Sequence, residues 1–304
     1  MKTAYSVIPD FFDEPDRLRQ GVEAHFADPH THTTVKHQLW NYWFVPGTYT
    51  YLKTMPERVI DPAVVERFVA RLREVAFERF GLATVYWPYL SLYVAGCFQG
   101  LHNDASAARL GYVYSLTRWD TRNFVGGETL LFREDGYFAT GAIARPGATA
   151  TFYELVPALW NQLLVFDDRI PHAVPRLEGT MNPLDGRLVL HGHLAESEWS
   201  VRGALKQAEA APVVAAALEA ERRAVPEGAY HGILSVRLYV TPEGTVREAR
   251  ALLDRVMKLA PDPALPAYDS APVLARLAAL RLPPAAGPSD ITLPLVFGKK
   301  PGRA

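Results

Sequence analysis

A histidine and an aspartate two residues apart, His102 and Asp104, close the apolar segment LSLYVAGCFQGLHNDA. On an extended backbone alternate side chains point to one side, so an imidazole and a carboxylate at this spacing can share a metal ion. With nine histidines and thirty-three acids in 304 residues, roughly one such pair arises by chance, so its surroundings decide its meaning. Those surroundings are ordered: GGETLLF follows, then IPHAVPRL with His172, then GRLVLHGHL with Arg187, His191 and His193. A lone cysteine, Cys97, excludes an intrachain disulfide and a thiolate metal cluster, which leaves His and carboxylate as ligands. Cys97 itself reads as a small core residue. The run HTHTTVKH holds His30, His32 and His37 without an acid among them and reads as a polar loop rather than a second metal site. RWDTRNF sets Arg118, Trp119 and Arg122 before GGET, residue types suited to the rim of a cavity that takes an acidic or aromatic group.

Over about residues 1–197 these segments resemble the iron(II)- and 2-oxoglutarate-dependent oxygenases, specifically the prolyl-hydroxylase-like branch. There a YxxGxFxxxHxD segment, a GGxT turn, a distal His and a basic residue on the closing strand occur in this order. The resemblance implies a double-stranded β-helix, with His102, Asp104 and His172 as metal ligands and catalytic centre. It implies Arg187 as anchor for the far carboxylate of 2-oxoglutarate, with O2 as the second cosubstrate. Imidazole and carboxylate suit Fe(II), and three protein ligands leave positions open for the keto acid and for O2. Arg176 competes for the anchoring role because it lies nearer His172, but Arg187 starts the closing strand. The fifteen-residue interval from His172 to Arg187 is long for the family, as a loop insertion at EGTMNPLD, residues 178–185, would explain; such a loop could overhang the substrate. The period of two puts Arg187, Val189, His191 and His193 on one strand face. His191 is then either a hydrogen-bond donor to the cosubstrate or a satisfied core histidine. Tyr93 is either a cosubstrate contact, as the resemblance implies, or a core aromatic. Gly126 and Gly127 answer a turn requirement. A halogenase of this fold leaves the carboxylate ligand position free for halide, and here Asp104 fills it.

The elements that must position these residues are mainly strands. From Trp87 onward, short β-type runs bounded by Gly, Asp, Asn or Pro follow one another without intervening helices, the pattern of a sandwich or jelly roll. The counts of 24 prolines and 21 glycines fit such turns and argue against a helical bundle. Before them, Ala4 to Ile8 reads as a strand, and Asp13 with Glu14 and Pro15 opens a helix toward His25. Asp61 and Pro62 open a second helix, with Val65, Phe68, Val69, Leu72, Val75 and Ala76 at helical spacing and Gly81 after its last turn. The stretch between them, His30 to Arg58, is aromatic and irregular, either a pocket wall or a core patch.

Near Glu196 the strands stop, and an Ala- and Glu-rich helix over 203–223 marks a boundary. The expected division is 1–200 as oxygenase domain, 201–227 as helical linker and 228–304 as a small α+β domain. GILSVRLYVTPEGTVREARALLD, ARLAALRLPPA and DITLPLVF give the last part, about 228–298, a resemblance to TonB C-terminal domains. It shows no ligand cluster, and docking of a protein, dimerisation or support of the catalytic unit all remain open. A net charge of −1 gives no global field for nucleic acid or anionic membrane. The N-terminus lacks a secretory pattern, no stretch approaches a membrane span, and a cytoplasmic address is expected. The expected activity is hydroxylation of a C–H bond in a prolyl or other peptidyl or amino-acid substrate. A small natural-product intermediate is the alternative substrate, and a non-catalytic sensor binding metal or 2-oxoglutarate is the alternative class. A structural metal would close its coordination sphere, which three ligands do not.

Overall fold

The computed structural model describes residues 1, 3–27, 40–104, 108–133, 152–226, 228–258 and 265–298. The histidines His30, His32 and His37 and residues 148–151 of the run ATATFYEL lie outside these. The chain forms two compact units, one of Ala4–Leu72 with Val85–Leu194, the other of Met1–Thr3, Arg73–Thr84 and the chain from Ala195 onward. Among the described residues no helix is long and apolar enough to cross a membrane.

The first unit is mainly β. Its strands are β1 (Tyr5–Ile8), β2 (Asn41–Val45), β3 (Tyr49–Thr54), β4 (Thr84–Val85, which also reaches the boundary), β5 (Tyr89–Tyr93), β6 (Phe98–His102), β7 (Leu110–Ser115), β8 (Thr129–Phe132), β9 (Tyr153–Val156), β10 (Leu163–Asp167), β11 (His172–Val174) and β12 (Arg187–Ala195). Ten of them join in the order β1-β10-β7-β12-β5-β3-β6-β11-β8-β9, with β2 paired to β3 and β4 to β12. From β5 on, the strands divide between two halves of this order, β5, β7, β10 and β12 in one and β6, β8, β9 and β11 in the other, with only the β8–β9 hairpin staying within a half. The result is a curled antiparallel sheet of jelly-roll type, as the strand texture predicts.

Helix α1 (Pro15–Ala27) and helix α2 (Pro62–Phe80) form where the caps predict them. The Asp61 carboxylate accepts the Ala63 N–H at 3.0 Å, satisfying one of the helix's free amide donors. Gly81 follows with φ +68°, the left-handed geometry that ends helices. Part of the aromatic stretch, read as irregular, is the β2–β3 hairpin, with Trp43 opposite Tyr51. All five β2 residues are exposed, so no apolar–polar alternation marked it as a strand.

The second unit holds a four-stranded antiparallel sheet, ordered β13 (Ser200–Gly203), β16 (Ser289–Phe297), β14 (Tyr230–Val240) and β15 (Val246–Lys258). The alternating Leu234, Val236 and Leu238 of β14 pack with Ile291 and Leu293 of β16 and with Val273 and Leu277 of helix α4 (Ala271–Ala278). Helix α3 (Gln207–Ala224) buries Ala210 and Val214 in this same core. The expected 201–227 linker is therefore corrected: its helix is a packed layer of the unit, and β13, which begins before it, pairs with β16.

Candidate metal and cosubstrate site

The site is built where the two halves of the first unit's sheet face each other. His102 ends β6 and His172 begins β11, and the two are direct partners in the antiparallel register. Their rings lie 4.3 Å apart between centroids. Asp104, just past the end of β6, brings its carboxylate to 3.3 Å from Nε2 of His172 and 4.0 Å from Nε2 of His102. One ligand atom from each of the three residues falls within 4.8 Å of the others.

Backbone carbonyls set the tautomers. Nδ1 of His102 donates to the Gly100 carbonyl at 2.8 Å, and Nδ1 of His172 to the Ile170 carbonyl at 2.9 Å. Each imidazole thus turns Nε2 toward Asp104, the atom through which it would ligate a metal. The edge of Phe166 packs against the His172 ring at 4.7 Å and fixes its plane. Burial and the neighbouring His172 lower the pKa of His102, against the opposing pull of Asp104, which keeps the ring neutral and able to ligate. Burial raises Asp104, but the hydrogen bond and charge of His172, helped by His193 and His102, more than offset it. The carboxylate stays ionised.

A second group, Asp104, Asp168 and His193, also gathers within ligand distance. Asp168 is fully buried, and its carboxylate accepts from Nδ1 of His193 at 3.2 Å. Its backbone carbonyl accepts the Asp104 N–H at 2.8 Å. Desolvation raises the pKa of Asp168 and opposes protonation of His193, whose pKa the Asp168 hydrogen bond nonetheless brings up. The pair braces Asp104 and β12 from behind; no short motif in the FDD and HGHL segments announces it.

Arg187, Tyr93 and His191 join the triad in one cavity of about 160 Å³, roughly the size that takes one small molecule. Arg187 is 1% exposed. It donates to Thr129 Oγ1 at 3.3 Å and stacks over the Tyr93 ring at 4.8 Å. Its Nε is buried without a hydrogen-bond partner, and among the described residues no carboxylate forms an ion pair with it. Desolvation lowers its pKa, and Tyr93 and Glu128 act the other way. Arg176 is exposed, donates to the Gly96 carbonyl at 3.0 Å and does not line this cavity. Tyr93 stacks on Tyr51 at 5.4 Å and 8°, and its burial raises the phenol pKa. His191 lines the cavity with Nε2 hydrogen-bonded to Ser91 Oγ at 2.7 Å. Desolvation first, and the nearby Lys53 next, lower its pKa to about 3, so it is neutral. Gly126 and Gly127 both take φ +79°, as the turn reading requires. A Cβ on Gly127 would meet Leu177 Cδ1 and Phe124 Cε2 at 3.3 Å, so the turn also packs closely there. Cys97 is buried in the core, and desolvation raises its thiol pKa.

The three residues expected at a substrate rim lie outside the lining of this cavity. Arg118 is exposed and ion-paired with Glu23 at 2.7 Å. Trp119 packs edge-on against Phe124 in the core, and Arg122 covers its ring at 4.1 Å. None of the three lines the cavity, because the short helical turn at Trp119–Thr121 directs the tryptophan inward. The 178–185 loop likewise does not border the cavity: its Thr180 carbonyl accepts Ala95 N–H at 2.6 Å, and Met181 lines a separate apolar groove with Tyr42 and Phe44. The residues sequence reading missed are Tyr51, Lys53, Gln99 and Thr129. The alternation in TYLKT and the threonine two residues after Gly127 are the only signals that pointed to them.

No family model matches the chain, and no curated protein matches it. Similar solved structures include a prolyl-4-hydroxylase of Pseudomonas putida, 18% identical over 64% of this chain and 94% of that one, TM-score 0.44. The α-ketoglutarate-dependent epimerase SnoN from nogalamycin biosynthesis is 15% identical over 65% and 80%, TM-score 0.42. AviO1 from Streptomyces viridochromogenes is 15% identical over 64% and 90%, TM-score 0.45.

Proposed function

We propose that the first unit is an iron(II)- and 2-oxoglutarate-dependent oxygenase that hydroxylates a C–H bond of a prolyl or other peptidyl or amino-acid substrate. One observation carries the reading: His102, Asp104 and His172 converge in the same cavity as a buried arginine whose Nε has no partner. A buried guanidinium left unsatisfied is costly and is accounted for by a ligand carboxylate that completes it. The donor set also fits: two imidazoles and one carboxylate suit Fe(II), and they leave coordination positions for a chelating keto acid.

When bound, iron and 2-oxoglutarate supply the redox chemistry, in which the keto acid becomes succinate and carbon dioxide as O2 delivers one oxygen atom to the substrate. The chain's part is placement. His102, Asp104 and His172 hold the metal with tautomers already fixed by Gly100 and Ile170. Arg187, steadied by Thr129 and the Tyr93 ring, receives the far carboxylate and sets the direction of the keto acid. Tyr93, a protonated phenol, and neutral His191 offer hydrogen bonds from the cavity wall without adding charge.

Anaerobic addition of Fe(II) and 2-oxoglutarate tests this through the metal-to-ligand charge-transfer band of a chelated keto acid. The wild type is expected to show the band and His172→Ala to lack it. A wild type that shows no band, and forms no succinate from 2-oxoglutarate in air, overturns the reading.

A further inference from the structure

Lys53 lines the same cavity and is neither one of the three candidate metal ligands nor the arginine assigned to the cosubstrate's far carboxylate. It lies on β3, opposite Ser91 of β5 and Asn41 of β2. Its ammonium sits 3.5 Å over the ring of Tyr89 and 4.8 Å over that of Trp43, both of them exposed side chains, so it occupies the cavity's mouth. Among the described residues it makes no ion pair, although ring faces alone compensate a partly desolvated cation poorly. Desolvation lowers its pKa, against the pull of Asp104. The charges of the cavity show what is missing. Asp168 is already paired with His193, and His191 is neutral. On the oxygenase reading, a divalent metal with Asp104 and Arg187 balances the two carboxylates of 2-oxoglutarate. Among the described residues, Lys53 is then the one cation lining this cavity without a counter-charge, and the two rings beside it are exposed.

We propose that Lys53 anchors an anionic group of the organic substrate, so that the enzyme acts on a molecule carrying a free carboxylate rather than on an internal residue of a peptide. The inference rests on the oxygenase reading and narrows its substrate class. Trp43 and Tyr89, whose rings already lie beside the ammonium, would flank the carboxylate-bearing end. An amide in place of the carboxylate would leave the ammonium without its counter-charge and lose that selectivity.

The test uses the full chain loaded with Zn(II), which does not turn over, and 2-oxoglutarate. The twenty common L-amino acids, their primary amides, and benzoate with benzamide are titrated and followed by saturation-transfer NMR. At least one acid is expected to bind at least about tenfold more tightly than its amide; Lys53→Met should abolish that preference and Lys53→Arg should keep it. The affinity for 2-oxoglutarate should be the same in all three proteins. Acids that bind no better than their amides, or a preference that survives in Lys53→Met, overturn the assignment. So does a Lys53→Met protein that loses 2-oxoglutarate, since Lys53 would then serve the cosubstrate. The anaerobic charge-transfer band is recorded separately: if it forms and the acids show no preference, only the Lys53 assignment falls; if it never forms, the oxygenase reading falls.

Discussion

Arg187 and Arg237 are both buried arginines on interior strands of antiparallel sheets, and they are held in opposite ways. Arg237, 4% exposed on β14, is saturated: it pairs with Glu78, donates to the Phe77 carbonyl at 2.8 Å and reaches Thr292 Oγ1 at 3.4 Å. Its unit treats other buried charge the same way, with Glu221 receiving two bonds from Arg276 at 2.7 and 2.5 Å. Arg187, 1% exposed on β12, has a long bond to Thr129 and a contact with Tyr93, but no carboxylate bonds to it and its Nε is orphaned. A charge whose partners are supplied by the fold contributes to the fold. A charge whose partners are withheld is arranged for something that arrives later, and its neighbours in the cavity, two Nε2 atoms and a carboxylate, are arranged likewise.

The largest effect that sharpens this contrast is loss of metal. Replacing His172 with Ala removes one of three ligands and is expected to weaken Co(II) binding by roughly 100-fold or more, about 2.7 kcal/mol, read from the visible bands of the cobalt protein. An affinity within a few-fold of wild type would place the metal elsewhere. Next comes Arg237→Met, which strips charged hydrogen bonds from the Phe77 carbonyl and Glu78 and should cost about 2–3 kcal/mol in urea unfolding of the second unit. No measurable cost would remove the distinction drawn between the two arginines.

Acid should act on the cavity at a similar scale. The folded pKa of His191 lies below its ordinary 6.5, at about 3. Its neutral form therefore stabilises the fold above pH 6.5, and that stability is lost as pH falls toward 3. Between pH 7 and pH 5 the loss from this residue is about 2 kcal/mol. His193, whose pKa is raised, contributes in the opposite sense, with stability present at low pH and lost as pH rises through its folded value. The difference between wild type and His191→Gln in metal-free protein isolates the first contribution, and an identical pH dependence in the two would contradict it. The smallest effect is at a cap: Asp61→Ala should cost about 1 kcal/mol through the lost bond to the Ala63 amide, with no change in metal binding.

Much of this was legible in the residues because the signals are local. Asp61, Pro62 and Gly81 bracket α2 through backbone chemistry that acts within one turn, and Gly126–Gly127 require positive φ wherever the sheet places them. The HxD spacing and the period of two on β12 put His102 with Asp104, and Arg187 with His191, on shared faces before any tertiary contact is known. What was not legible depends on which face of a segment the rest of the chain covers. Arg118, Trp119 and Arg122 have the composition of a rim, yet Trp119 is drawn into the core with Phe124. Tyr51 and Lys53 enter the cavity through a hairpin whose outer strand is exposed along its whole length and so carries no burial pattern. Helix α3 looked like a spacer because its alanines are small, and small residues are also what lets it bury Ala210 and Val214 against a sheet.

The most direct measurement is calorimetric titration of 2-oxoglutarate into Mn(II)-loaded wild type and Arg187→Met, with the Tm of each metal-free protein taken alongside. If Arg187 is held ready for a carboxylate, the variant loses 2-oxoglutarate affinity by roughly 100-fold, since two charge-assisted bonds disappear. Its Tm stays level or rises, since a desolvated and unsatisfied cation has been removed from the interior. An unchanged affinity, or a Tm that falls as that of Arg237→Met is expected to fall, would show that Arg187 is a structural arginine like its counterpart.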